Sequence, residues 1–369
     1  MSPDLGTEPR VTPMRLEELD LDIPEALIAQ QPMEPRDSCR LLHVTTGCGL
    51  HHSIFSSLPE LLRPGDTLVF NDSKVLPARL EARRATGGKV ELLLLRPTAR
   101  TAAGECWEAL ARPSHRLRVG EQVTVGEEEA LVLADRTEEG GWIVEGPPGR
   151  SLVALMEQCG RLPLPPYIRT YPSQPSSYQT VYAATPGSAA APTAGLHFTP
   201  GLLKRLEAAG IGAAYLTLHV GLDTFQPIRE AVVQDHKIHR EAFSVSAESI
   251  ATMRFARVSG GRLVAVGTTA TRVLETLAAR GLLDGAEHPR RVEGSTDIFI
   301  TPGYRFRAVD ALITNFHLPR STVLALTMAF VGAQRLRHVY AEAVRMGYRF
   351  FSFGDAMLAD AQEAADAQS

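Results

Sequence analysis

Five histidines in the second half of the chain stand beside Gly, Asp or Asn where predicted elements end, a placement suited to proton transfer. They are His197 in Pro192-Thr-Ala-Gly-Leu-His197, His219 in Leu218-His-Val-Gly221, His236 and His239 in Asp235-His-Lys-Ile-His239, and His317 in Asn315-Phe-His317. An acid next to an imidazole, as in Asp235-His236, can orient the ring or share its proton. Turn chemistry explains the same Asp equally well. Asp72, Asp223, Asp297 and Asp355 are further acids near predicted strand ends. His236-x-x-His239 offers two imidazoles from one helical face, but no H-E-x-x-H pattern and no third ligand accompany it, so no metal is expected. The absence of a G-x-S-x-G elbow removes the main support for serine-hydrolase chemistry.

A second kind of site is written in Val264-Ala-Val-Gly267-Thr268-Thr269-Ala-Thr-Arg272. A buried strand running through Gly-Thr-Thr into a helix leaves backbone N–H groups and two hydroxyls at a helix N-terminus, where a carboxylate or other anion is favoured. A plain capped helix has the same look, and neither the G-x-G-x-x-G of dinucleotide folds nor the Lys of a P-loop is present.

The elements that must position these groups come in two textures. From about 79 to 149, short β-type runs (Val90 to Leu95, Cys106 to Leu110, Gln122 to Val125, Ala130 to Leu133, Trp142 to Val144) alternate with Gly, Pro and charged turns, the spacing of a small sandwich or barrel. After Ser151, an expected cap for a short helix ending at Gly160, strands alternate with longer helices. The expected helices are Thr199 to Gly210, Ala247 to Arg257, Ala270 to Arg280, Ser321 to Val331 and Gln334 to Met346. Strands are expected at Leu68 to Asn71, Tyr215 to Val220, Leu263 to Val266, Ile298 to Ile300, Ala311 to Thr314 and Arg349 to Phe353. The fold class is therefore an α/β main domain, a mixed sheet with flanking helices, carrying an inserted all-β, barrel-like domain. The boundaries are a disordered leader over 1–13, the α/β domain over 14–77 and 151–358, the barrel over 78–150, and a flexible tail over 359–369. The pattern starts directly at Met14, which makes it a candidate start of translation.

Composition narrows the class. With 369 residues, 44% hydrophobic and 22% charged, and a net charge of −4, the chain is neither a disordered polyelectrolyte nor a uniformly basic nucleic-acid coat. Local charge is less even. Residues 78–118 hold nine Lys or Arg against four acids, net +5, and 119–150 hold two against eight, net −6. Arg112, Arg116 and Arg118, with Trp107 nearby in sequence, could grip a phosphate backbone; a solvated face is the alternative. Four cysteines without a C-x-x-C pair fit a reducing cytosol. No secretory signal is evident, and the longest apolar run, Val323 to Ala333, falls short of the ~20 residues of a membrane span.

Taken together the motifs resemble the S-adenosylmethionine:tRNA ribosyltransferase-isomerase family of queuosine biosynthesis. The matching stretches run in order from Ile23-Pro-Glu-Ala-Leu-Ile-Ala-Gln-Gln-Pro32 through Gly65-Asp-Thr-Leu-Val-Phe-Asn71-Asp72 and Leu162-Pro-Leu-Pro-Pro-Tyr-Ile168. They continue with Ala191-Pro-Thr-Ala-Gly-Leu-His-Phe198, Leu216-Thr-Leu-His-Val-Gly221, Asp235 to His239, Ala265-Val-Gly-Thr-Thr269, Thr314-Asn-Phe-His-Leu-Pro319 and Tyr348-Arg-Phe-Phe-Ser-Phe-Gly-Asp-Ala-Met357. Asp223 and Thr271 stand where the family usually has Gly and often Ser.

The resemblance implies that S-adenosylmethionine is consumed as a ribosyl donor and that the acceptor is 7-aminomethyl-7-deazaguanine at the tRNA wobble position. The implied products are epoxyqueuosine in tRNA, adenine and methionine, with no metal or redox cofactor. Residue type and expected location suggest His219 or His197 as general base for such a reaction, with Asp235 and His236 or His239 as the acid or orienting pair. Gly267, Thr268 and Thr269 would receive the methionine carboxylate, Asn315 and His317 adenine or ribose, and Asp355 would also contact substrate. A cytoplasmic monomer is expected. A methyltransferase and a tRNA-binding module without chemistry are the competing classes.

Overall fold

Strands buried on both faces carry unbroken apolar runs, whereas strands with one wet face alternate, and this chain contains both kinds. The computed structural model describes residues 13–47, 49–101, 104–126, 129–138, 140–172, 174–221, 227–285 and 288–361. Its first ten strands are β1 (Arg40–Val44), β2 (Leu50–Ile54), β3 (Thr67–Asn71), β4 (Ser73–Val75), β5 (Arg79–Arg84), β6 (Lys89–Arg100), β7 (Glu105–Arg112), β8 (Glu121–Val125), β9 (Glu129–Arg136) and β10 (Trp142–Glu145). Then come β11 (Thr185–Ser188), β12 (Gly212–Leu218), β13 (Glu241–Val245), β14 (Leu263–Val266), β15 (Val292–Thr296), β16 (Ala311–Asn315) and β17 (Ala356–Asp360). The α-helices are α1 (Leu58–Leu61), α2 (Leu152–Cys159), α3 (Pro200–Ala208), α4 (Ala247–Val258), α5 (Gly267–Ala279), α6 (Thr322–Val331) and α7 (Ala333–Arg345).

Nine strands form one mixed sheet in the order β15-β13-β12-β3-β14-β16-β17-β1-β2. Its centre, β12-β3-β14-β16, is parallel, and β3, β14 and β16 are buried at every position. Alternate residues of β14 divide the core. Leu263 and Ala265 pack with Ile250, Met253 and Leu274 on the face covered by α4 and α5, while Val264 and Val266 meet Leu202 and Leu206 of α3 on the other. The chain leaves β3 toward β12 and leaves β14 toward β16, so the winding reverses between β3 and β14. The crevice at the carboxyl ends of strands flanking such a reversal is where open α/β sheets bind ligands.

Six further strands close into a barrel, β10-β7-β6-β5-β8-β9, around Leu80, Leu92, Val123, Leu131 and Trp142. Here one face is wet and residues alternate, as in Glu121-Gln-Val-Thr-Val125. β4 leads into the barrel and β11 returns beside β4 in parallel, which makes the barrel an insertion into the α/β body. Thr199 caps α3 through its side chain (Leu202 N, 3.1 Å), worth about 1 kcal/mol. Ser151 precedes α2 but makes no such bond.

Several local expectations are corrected. Arg349 to Phe353 is not a strand. Phe350, Phe351 and Phe353 are buried from an irregular segment, with Phe351 at φ +69°, and the last strand among the described residues is β17, inside the sheet between β16 and β1. Ala359 and Asp360, assigned to the tail, belong to that strand, and Asp360 is paired with Arg262 and His43. Ile298 to Ile300 is irregular; the strand lies earlier, at Val292–Thr296, where it pairs with β13. The expected leader falls almost wholly outside the described residues, as do Asp223 and the end of the tail. Met14 is buried, and its carbonyl accepts from Val233 N. Among the described residues no helix is long and apolar enough to cross a membrane.

Candidate active site

The carboxyl ends of β14 and β16 put Gly267, Thr268, Thr269, Asn315 and His317 around one cavity of about 70 Å³. It is closed by Ala190 to Ala194, Phe351, Ser352 and Tyr167. Gly267 opens α5 at φ +89°, a backbone state that strains any L side chain, and an added Cβ would press to 3.4 Å from Ala194. The helix start has no side-chain cap, and the Thr269 hydroxyl is buried in the cavity wall without a partner. A group with acceptor oxygens is the natural complement of this end.

Asn315 is buried, and both ends of its amide are bonded. Its Oδ1 accepts from Thr193 Oγ1 at 2.8 Å, and its Nδ2 lies 3.0 Å from His197 Nε2 and 3.3 Å from the Phe351 carbonyl. The other nitrogen of His197, Nδ1, sits 3.2 Å from the buried Cys39 Sγ, and Phe55 packs on the ring at 5.1 Å. Burial, with Arg349 and Arg36 adding positive charge, drives the His197 pKa down to about 3. One of the two expected bases is therefore a neutral ring with both nitrogens occupied. His317 borders the cavity, bonds Thr314 Oγ1 through Nε2 at 2.7 Å, and is pushed to about 3 by burial.

His219 has a different setting. It follows β12 and lines a wide cleft of about 710 Å³ between the barrel and the sheet. The barrel contributes Trp107, Leu110 and the Arg96–Glu108 ion pair; the α/β side contributes His239, Glu241 and Gly221. Gly187, at φ +137°, lies flat against the imidazole, so close that a Cβ there would be 2.9 Å from the ring. Nδ1 of His219 is buried with no hydrogen-bond partner. Burial lowers its pKa, and the nearby Asp72 charge opposes that shift. Asp72 itself is raised by burial against a 2.6 Å bond from Thr217 Oγ1 and the attraction of His219. Val220 borders both the cleft and the small cavity, so the two spaces adjoin.

The remaining expected residues are not gathered here. Asp235 is exposed at the end of a single 3-10 turn, and the partner of His236 is Glu230 (Nδ1 to Oε2, 2.8 Å), since that turn directs the neighbouring acid outward. Asp355 is 2% exposed, and its carboxylate is taken by Arg40 N and Arg349 N at 2.9 and 2.8 Å, which places it in the fold and outside the cavity. Arg112, Arg116 and Arg118 are exposed on the barrel, the last two beside His115 around a shallow basin. Among the described residues no group of three or more His, Cys, Asp or Glu is arranged to hold a metal ion. Sequence reasoning passed over Thr193, although the Pro192-Thr-Ala-Gly195 motif contains it, and it gave no role to Asp72.

A family model described as "Queuosine biosynthesis protein" matches residues 16–359. The S-adenosylmethionine:tRNA ribosyltransferase-isomerase of Rubrobacter xylanophilus is 52% identical over 346 residues, covering 94% of this chain and 97% of the relative. That of Moorella thermoacetica is 51% identical over 353 residues, covering 94% and 99%. The crystal structure of S-adenosylmethionine tRNA ribosyltransferase from Thermotoga maritima matches with a TM-score of 0.52 and 37% identity, over 93% of this chain and 99% of that one. Matched along nearly its whole length in sequence and in fold, the chain belongs to the S-adenosylmethionine:tRNA ribosyltransferase-isomerase family of queuosine biosynthesis.

Proposed function

We propose that the protein moves the ribosyl unit of S-adenosylmethionine onto 7-aminomethyl-7-deazaguanine at the tRNA wobble position, leaving epoxyqueuosine in the tRNA and releasing adenine and methionine. The observation that carries this reading is the junction at Val220 of a small cavity at the α5 N-terminus with a wide cleft holding an unpartnered imidazole. The cavity suits the compact amino-acid end of the donor, with its carboxylate at Gly267, Thr268 and Thr269. The cleft has room for the nucleoside and an extruded loop base, whose unstacking costs less than opening a duplex.

In this reading His219 removes a C5′ proton beside the sulfonium to give an ylide. Adenine departs protonated, the aminomethyl nitrogen attacks, and epoxide closure expels methionine. His239, which lines the same cleft, would serve as acid. S-adenosylmethionine is consumed as substrate, and the scheme draws on no metal or redox cofactor. The enzyme would act as a cytoplasmic monomer on tRNA, with Arg112, Arg116 and Arg118 against the phosphate backbone.

The test is to incubate the protein with S-adenosylmethionine and tRNA bearing the aminomethyl-deazaguanine and to identify small products by mass spectrometry. Adenine and methionine without S-adenosylhomocysteine are expected. S-adenosylhomocysteine would mean a methyltransferase, and no product would mean a binding module, two classes the family comparisons do not favour. Replacing the three arginines by Ala should weaken tRNA binding and flatten its salt dependence by about one unit of log–log slope per lost phosphate contact. Unchanged affinity and slope would remove them from the interface.

A further inference from the structure

The polarity of the hydrogen-bond chain behind Asn315 can be assigned end to end. The Phe351 carbonyl only accepts, so the Asn315 atom 3.3 Å from it must be the amide nitrogen; an oxygen there would set two acceptors face to face. Phe351 holds that carbonyl in place from a left-handed backbone, φ +69°, a costly state for an aromatic residue. The second amide hydrogen then points at His197 Nε2, 3.0 Å away, which must accept. The ring proton is left on Nδ1, facing Cys39 Sγ at 3.2 Å. On the other side, Asn315 Oδ1 takes the only proton of Thr193 Oγ1.

This chain leaves Thr193 Oγ1 and Asn315 Oδ1 with lone pairs alone to offer. The same cavity is lined at Gly267 to Thr269 by backbone N–H groups and the buried, unpartnered Thr269 hydroxyl. The cavity thus brings donors and acceptors together, and none of its lining residues is Asp, Glu, Lys or Arg. A lone phosphate or a lone cation buried here would lack a counter-charge, which is costly. A zwitterion brings its own. The volume, about 70 Å³, holds roughly five waters at ~10–15 Å³ each, in keeping with the five heavy atoms of an amino-acid head.

The geometry points to an α-amino-acid cradle in which Thr193 and Asn315 accept from the α-ammonium of S-adenosylmethionine while α5 holds its carboxylate. His197 is a positioning residue that fixes the amide of Asn315. This deepens the reading of the site given above and depends on it. It also moves Asn315 from the adenine or ribose to the methionine end of the donor.

The experiment is a protein–ligand cycle read by isothermal titration. S-adenosylmethionine and its analogue lacking the α-amino group are titrated into the unaltered protein, Thr193→Val and Thr193→Ser. A hydrogen bond to a charged group predicts a loss on the order of tenfold in affinity for S-adenosylmethionine with Thr193→Val. The desamino analogue should bind the unaltered protein and Thr193→Val equally, and Thr193→Ser should restore tight binding of S-adenosylmethionine. Independent, additive losses would overturn the ammonium contact while leaving the site as a donor pocket. Failure of S-adenosylmethionine to bind the unaltered protein would overturn the reading of the site and the cradle with it.

Discussion

His197 and His219 lie near the same edge of one sheet, yet they differ in what each has left to offer a substrate. At His197 every polar atom is committed: Cys39 on one nitrogen, Asn315 on the other, Phe55 on the ring face. At His219 the backbone N–H is bonded to Ala242, but Nδ1 has no partner and the ring opens on the cleft. Burial lowers both pKa values, though only His219 has a carboxylate, Asp72, working against that shift. A committed imidazole shapes a binding surface; an uncommitted one beside an acid can take a proton and be stabilised once it has done so.

The sharpest break of this contrast exchanges each ring for a side chain of similar reach. His219→Gln should lower deuterium exchange at C5′ of S-adenosylmethionine by about 10²–10⁴-fold, the usual cost of a lost general base. His197→Gln keeps an acceptor for Asn315 and should leave exchange near normal at saturating donor, its effect appearing mainly as a raised KM. Normal exchange in His219→Gln would remove it as base. A collapse of exchange in His197→Gln at saturation, in a protein that unfolds at the same temperature as the unaltered one, would make the two histidines equivalent and dissolve the comparison.

How far each region is legible in sequence follows from the range of its contacts. The β14–Gly-Thr-Thr–α5 junction can be read locally, because an unbroken apolar run, a glycine and a helical stripe all lie within about twenty residues. The barrel is equally plain, since its turns and alternation are local. The state of His197 is not, because Cys39 is 158 positions away and Asn315 118. His236 shows the same limit at short range: its neighbour Asp235 was the obvious partner, and a single 3-10 turn gives the role to Glu230. β17 was missed because Ala356-Met-Leu-Ala-Asp360, with its first four residues buried, shows no alternation, while the aromatic run before it mimics a strand and instead fills the core from a loop.

A finer test concerns the acid beside the open histidine. Asp72 follows β3, is held by Thr217 Oγ1 at 2.6 Å, and acts on His219 from the adjacent strand. Glu241, His239 and the Arg96–Glu108 pair share the cleft, so Asp72 is one of several charges near the ring. If neutral His219 is the base, activity is lost as pH falls through its pKa and is flat above it. Burial puts that acid limb below the usual histidine value of 6.5. Asp72→Asn removes a charge that raises the pKa, so the limb should move further to acid, and the plateau should drop severalfold as the weaker base extracts the proton less readily. Loss of the limb is equally informative. Activity that no longer falls at low pH in Asp72→Asn would show that the titrating group is Asp72 itself, and the base would then have to be sought outside the His219 ring.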